Sequence, residues 1–143
     1  TMNRFMFAFL AVLFNLNLQP LDAAGQERTE NILADFDTVL VNNLGRTWTI
    51  ESVGTTDGIT SIVTGLDELT EARYRVMVGL LCRDLSINPH VVSKLKEIVV
   101  LNKQENQGYV FEKLGGYQTI LKNYGQKKKA AIMKNSRIFK KPE

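Results

Sequence analysis

The run Asp67–Asp84, DELTEARYRVMVGLLCRD, constrains the fold most, because it reads as a long helix set between two segments that read as hairpins. Asp67 stands as the expected N-cap, with Glu68 and Glu71 in the first turn, where negative charge offsets orphan N–H groups and the helix dipole. Leu69, Ala72, Val76 and Leu80 recur at helical spacing, and Met77 and Leu81 widen the stripe, so this side is expected to face a core. Glu68, Glu71, Arg73 and Arg75 fall mostly on the other side. Full burial of one large apolar side chain stabilises by about 1.5–3 kcal/mol, against about 0.3–0.5 for an exposed pair such as Glu71–Arg75. Packing therefore positions the helix.

On the N-terminal side, Thr29 is expected to cap a helix over Glu30–Leu44 with Ile32, Leu33, Phe36, Val39, Leu40 and Leu44 on one face, and Gly45 stands where a left-handed C-cap is wanted. TWTIESV, Thr47–Val53, alternates as a strand does, and the turn-rich Gly54–Gly58 leads into ITSIV, Ile59–Val63. The Asp57-Gly58 step marks a hairpin turn. On the C-terminal side, Ser86–Pro89 breaks the helical pattern, and Asn88 before Pro89 predicts a short helix through Leu95. EIVVL, Glu97–Leu101, and YVFE, Tyr109–Glu112, flank the polar NKQENQG as a second hairpin. Leu114–Gly125 reads as a third strand of that sheet or as a loop into the tail.

These elements predict an α+β fold: an antiparallel sheet of two hairpins, four or five strands, packed against two main helices. No strand–helix–strand unit carries the glycine-rich crossover of a nucleotide fold. The order of elements resembles that of small exported bacterial domains and, more distantly, of secretion chaperones with helix–hairpin–helix–hairpin order. That resemblance rests on layout alone and assigns no family.

Ahead of this domain, Arg4 precedes ten uninterrupted apolar residues, Phe5–Phe14, and then the more polar NLNLQPLDAAG. This is the order of a secretory signal peptide, with cleavage expected after Ala23. As a helix, Phe5–Leu18 spans about 21 Å, short of a hydrocarbon core about 30 Å thick, so an uncleaved inner-membrane anchor is the alternative. The acidic residues after the apolar run send the rest of the chain outward, to the periplasm or the secreted fraction. The expected parts are then a leader over 1–23, an α+β domain over 24–125 and a basic tail over 126–143.

Charge divides along the same lines. The net charge of +3 conceals a tail from Lys122 to Glu143 with eight Lys or Arg against one Glu, and a body from Gly25 to Leu121 with nine basic and thirteen acidic residues. In the tail Lys127, Lys128, Lys129, Lys134, Arg137, Lys140 and Lys141 surround apolar residues, a composition that attracts an anionic surface or an acidic partner. Nucleic acid would respond to the same charges, but export makes it the poorer partner.

Catalytic signals are thin. Cys82 is the only thiol and sits in an apolar helix, where cysteine is usually a buried structural residue. His90 is the only histidine, and a Cys82–His90 nucleophile pair would need contact and a third orienting group. One His, one Cys and scattered carboxylates supply no zinc or calcium spacing, and Gly115-Gly116 lacks a phosphate-cradle pattern, so neither metal nor cofactor is expected. The reading that follows is an exported, non-enzymatic binding or adaptor domain of the bacterial envelope or secreted fraction. It would meet a protein partner or an anionic envelope surface through its basic tail and an apolar surface near Tyr109, Phe111 and Tyr117. The alternatives are a membrane-tethered subunit of an envelope assembly and a small thiol-dependent enzyme using Cys82 and His90.

Overall fold

The computed structural model describes residues 20–141, with side chains from residue 25. The leader expected over 1–23 lies outside the described residues except for its last few, which open helix α1 (Pro20–Leu44). The chain divides into two compact units, Thr1–Ile32 and Leu33–Glu143. In the first, Thr29 does not cap a helix. Its hydroxyl donates to the Gly25 carbonyl (3.1 Å) inside a helix that already began at Pro20.

The second unit takes up α1 at Leu33, and Phe36, Leu40 and Leu44, four residues apart, are buried. Gly45 does not adopt a left-handed cap; its N–H donates to the Val41 carbonyl (2.9 Å) and continues the helical pattern. The hairpin follows as β1 (Ile50–Thr56) and β2 (Ile59–Thr64), joined at Asp57 and Gly58, both at positive φ (55° and 80°). That is the backbone a two-residue turn needs to match strand twist. Then come α2 (Glu71–Ile87), a 3-10 helix (Pro89–Lys94), β3 (Glu97–Leu101) and β4 (Gly108–Phe111). A 3-10 turn (Leu114–Gly116), α3 (Tyr117–Lys122), α4 (Gly125–Lys134) and β5 (Ser136–Ile138) complete the chain.

The α+β class holds, with five strands in the order β1-β2-β3-β4-β5, but the sheet is mixed rather than antiparallel throughout. β2 and β3 run parallel, Thr60 opposite Ile98 and Ile62 opposite Val100, so the two hairpins join through a crossover made by α2. These central strands are covered on both faces. Ile62, Ile98, Val100 and Phe111 are fully buried, while Val63, Val99, Leu101 and Val110 form a second cluster against which Ile59 and Phe139 pack.

The helices meet one face of the sheet. Thr55 donates to Asp37 of α1 (2.7 Å), and Thr60 in turn donates to Thr55 (2.8 Å), whose own proton is committed to the carboxylate. Tyr74 of α2 stacks on Tyr109 of β4, ring centres 4.6 Å apart. Its hydroxyl lies 2.6 Å from Ser136 Oγ, which itself donates to the Ile132 carbonyl (2.7 Å), so Tyr74 is the donor. The tail is thus joined to the fold through residues 132–138: Ile132 is buried, and β5 pairs with β4, Arg137 opposite Val110.

The central helix starts later than Asp67. Thr70 is the N-cap, its Oγ1 accepting from the Arg73 N–H (3.2 Å). Residues 66–69 are held by the β3–β4 loop instead: Gln107 accepts from the Leu69 N–H and donates to the Leu69 carbonyl, both at 2.8 Å. Asn102, almost fully buried, donates to the Asp67 carbonyl (3.0 Å) and accepts from the N–H groups of Asn106 and Gln107. The polar NKQENQG is therefore a clamp, closed by Gly108. A Cβ there would lie 2.0 Å from the Val100 carbonyl oxygen, so Gly108→Ala is expected to cost more than about 2 kcal/mol in urea unfolding, as for strain forced on a packed core. An unchanged midpoint would mean that β3 and β4 separate freely.

Asp84 of α2 is buried, with Oδ1 accepting from Asn43 Nδ2 (2.7 Å) and Oδ2 without a partner among the described residues. Burial raises its carboxyl above the ordinary 3.8, opposed by the Asn43 hydrogen bond and the Arg83 charge. A carboxyl with a raised folded pKa holds its proton more tightly when folded. Its contribution to stability is fullest in acid and declines as pH rises from 3.8 through the raised value. Asp84→Asn is expected to flatten that decline and to be more stable at pH 7 by about 1 kcal/mol, leaving the share of Asp37, also raised by burial. Urea unfolding from pH 3.5 to 7.5 reads both effects, and parallel curves for parent and variant would remove Asp84 from the account.

Candidate functional site

Helix α2 has two apolar sides. The core side is Tyr74, Met77, Val78, Leu81, Cys82 and Leu85, all buried. Of the expected stripe, Leu69, Met77 and Leu81 are buried, whereas Ala72, Val76 and Leu80 lie, at 3.6 residues per turn, on nearly the opposite side of the helix from the core. Val76 is 57% exposed, and Ala72 is exposed as well.

That outer side is one wall of a groove of about 590 Å³. Ala72, Val76, Gly79 and Leu80 line it from α2, and Leu121 of α3 with Gly125 and Ile132 of α4 line it from across. Both walls follow helical spacing, and Ala72 to Arg83 runs about 16 Å at 1.5 Å per residue. Four cations border the groove: Arg75 and Arg83 from α2, Lys128 and Lys129 from α4. Arg75 is paired with Glu71 one turn earlier, whereas Arg83, Lys128 and Lys129 have no carboxylate partner within salt-bridge distance among the described residues.

The predicted tail residues separate into groups. Lys128 and Lys129 are at the groove. Arg137 is engaged within the sheet, with Nε 3.0 Å from Glu112 and Nη2 3.3 Å from Glu97, so it fastens β5 and its charge is matched locally. Lys134 ends α4, where a cation offsets the helix dipole, and Lys127, Lys140 and Lys141 are exposed. The predicted apolar docking trio fares differently. Phe111 is fully buried and Tyr117 nearly so, because both point into the core; they form no docking surface. Tyr109 is half-buried beneath Tyr74, its hydroxyl pKa raised by burial and then by Glu71 and Glu68.

Cys82 and His90 are not brought together. Cys82 is buried in the core side of α2, while His90 is exposed on the 3-10 helix, and no hydrogen bond joins them. Burial pushes the Cys82 thiol up to about 12, with the Lys128 charge acting in the other direction. Nucleophilic sulfur is thiolate, so the folded site is a poor one for thiol chemistry. Among the described residues, no cluster of three or more His, Cys, Asp or Glu is placed to hold a metal ion, and no helix is long and apolar enough to cross a membrane.

Sequence reasoning missed the groove although it named most of one wall. The available signal was apolar residues on both sides of α2, with Tyr74, Val78 and Cys82 on the side that won the core. No protein-family model, curated protein or solved structure matches the chain.

At pH 8 iodoacetamide is expected to label Cys82 of the folded protein at least about a thousandfold more slowly than the unfolded chain, since the thiolate is scarcer and the sulfur is covered. Labelling across a urea series should follow global unfolding. Fast modification in the absence of urea would show that the core side of α2 opens readily.

Proposed function

We propose that this chain is a non-enzymatic binding domain that recognises an acidic protein partner through the groove between α2 and α4. The observation that carries the reading is an exposed apolar strip bordered by four cations, on a helix whose core requirement is already met by its other side. Exposed Val76 and Ala72 continue into half-buried Leu80 and Leu121, and a contiguous apolar strip with a charged border suits an interface. Apolar contact supplies affinity, and the cations supply steering and selection of an acidic partner. Export to the periplasm or outside the cell is part of the proposal and rests on Arg4 and the Phe5–Phe14 run.

Deleting the tail is a poor test, because Ile132, Ser136 and β5 belong to the fold. Reversal of two charges at the groove, half-buried Lys128 and exposed Lys129, is cleaner. Selection of a displayed library of random 16-residue peptides against the full chain at low salt is expected to enrich Asp- and Glu-rich sequences. The Lys128→Glu/Lys129→Glu double variant should bind them at least about tenfold more weakly, and rising salt should weaken the parent's binding likewise. Enrichment of neutral or basic peptides, or equal binding by the double variant, would sink the reading.

A further inference from the structure

We infer that the occupant of the groove is a single amphipathic α-helix, about three turns long, with Asp or Glu along its flanks. This deepens the binding role proposed above and rests on it. The first argument is hydrogen bonding. On the α2 wall Val76, Gly79 and Leu80 lie inside the helix, where backbone groups are paired within it, so an extended peptide lying along that wall would find no partners there for its own N–H and C=O groups. A helix satisfies those groups internally and brings only side chains to an apolar floor, the usual helix-in-groove mode.

The second argument is Gly79. A glycine inside a helix is poorer than alanine, and a close neighbour in the fold is the usual reason to keep one. Nothing lies within 4 Å of the place its Cβ would occupy, and its φ is not positive, so neither packing nor backbone within the described residues requires glycine. Gly125 across the groove differs, since its φ of +57° at the start of α4 explains it locally. A bare position midway along an exposed apolar wall lets a second helix approach more closely than a side chain would permit. The third argument is charge. Arg75 and Arg83 stand on one wall and Lys128 and Lys129 on the other, so an occupant lying between them meets cations on both flanks.

The peptide selection described above tests this when its products are read for period. Enriched sequences are expected to place Leu, Ile, Met or Phe at i, i+3 or i+4, and i+7, with Asp or Glu beside that stripe, and to gain helical circular dichroism on binding. Gly79→Leu, which projects into open space, should keep the parent's melting temperature or raise it while weakening binding at least tenfold. Val76→Glu, at a 57% exposed position, should do the same by repulsion and serves if the leucine variant fails to fold. Acidic peptides without helical period that bind both variants as well as the parent would overturn the helix and leave the acidic-partner reading standing. Selection of no acidic peptide would overturn both. Phosphatidylglycerol vesicles form the remaining arm: if they bind the parent and Gly79→Leu equally while no peptide is enriched, the cations serve a lipid surface and the inference fails.

Discussion

Parallel pairing of β2 with β3 is the constraint on which the rest of the second unit depends. Strands running the same way cannot be joined by a tight turn, so the chain must return along the sheet between Thr64 and Glu97. Helix α2 makes most of that return, and Asn88 ends it by donating from Nδ2 to the Asp84 carbonyl (2.9 Å) before the 3-10 helix leads into β3. The crossover lays α2 over the strands. Its start must then be held at the end of β3, which Asn102 and Gln107 of the β3–β4 loop do through the backbone of residues 67–69.

The tail completes what the crossover leaves open. Tyr74 carries a ring that packs on Tyr109 and a hydroxyl that must find a partner when buried, since an unsatisfied polar group there costs about 1–3 kcal/mol. Ser136 is that partner, and it is itself anchored to the last turn of α4. One hydrogen-bond chain therefore joins α2, α4 and β5, and it explains why a strongly basic segment is ordered. Its apolar and hydroxyl side chains turn inward, Arg137 is matched by Glu97 and Glu112, and the remaining lysines are left at the surface.

Much of this order was legible. The Asp57-Gly58 turn, the strand EIVVL and the break at Pro89 follow from local chemistry that tertiary contacts did not override. EIVVL also carries a signal for the parallel pairing, since a strand apolar at four successive positions is one covered on both faces, as central parallel strands are. Other features had no local signature. β5 is three residues long, too short for a period to register, and α3 depends on Tyr117 and Ile120 finding a core that sequence does not display. Arg137 and Phe111 depart from expectation for different reasons: Arg137 is exposed but paired with Glu97 and Glu112, and Phe111 lies on a covered face of the sheet, neither of which its own segment reveals.

The rotation of α2 is the most consequential of these differences, because it follows from a real ambiguity. A helix with one apolar side has a single way to face a sheet; a helix with two has a choice, and the better-filled side takes the core. Tyr74, Met77, Val78, Leu81 and Leu85 fill the space over the strands more completely than Ala72, Val76, Gly79 and Leu80 would, and burial of the larger set is worth more at about 25 cal/mol per Å². The smaller set is then left outward, half-walled by α3 and α4. A helix that is apolar on two sides belongs between two layers, and here one layer is the sheet while the other is incomplete. Filling that layer with larger α2 residues would have gained stability for the isolated domain only by giving the helix two competing registers against the sheet. A smaller outer set, with Ala72 and Gly79 beside Val76 and Leu80, avoids that competition, since it keeps the core side dominant.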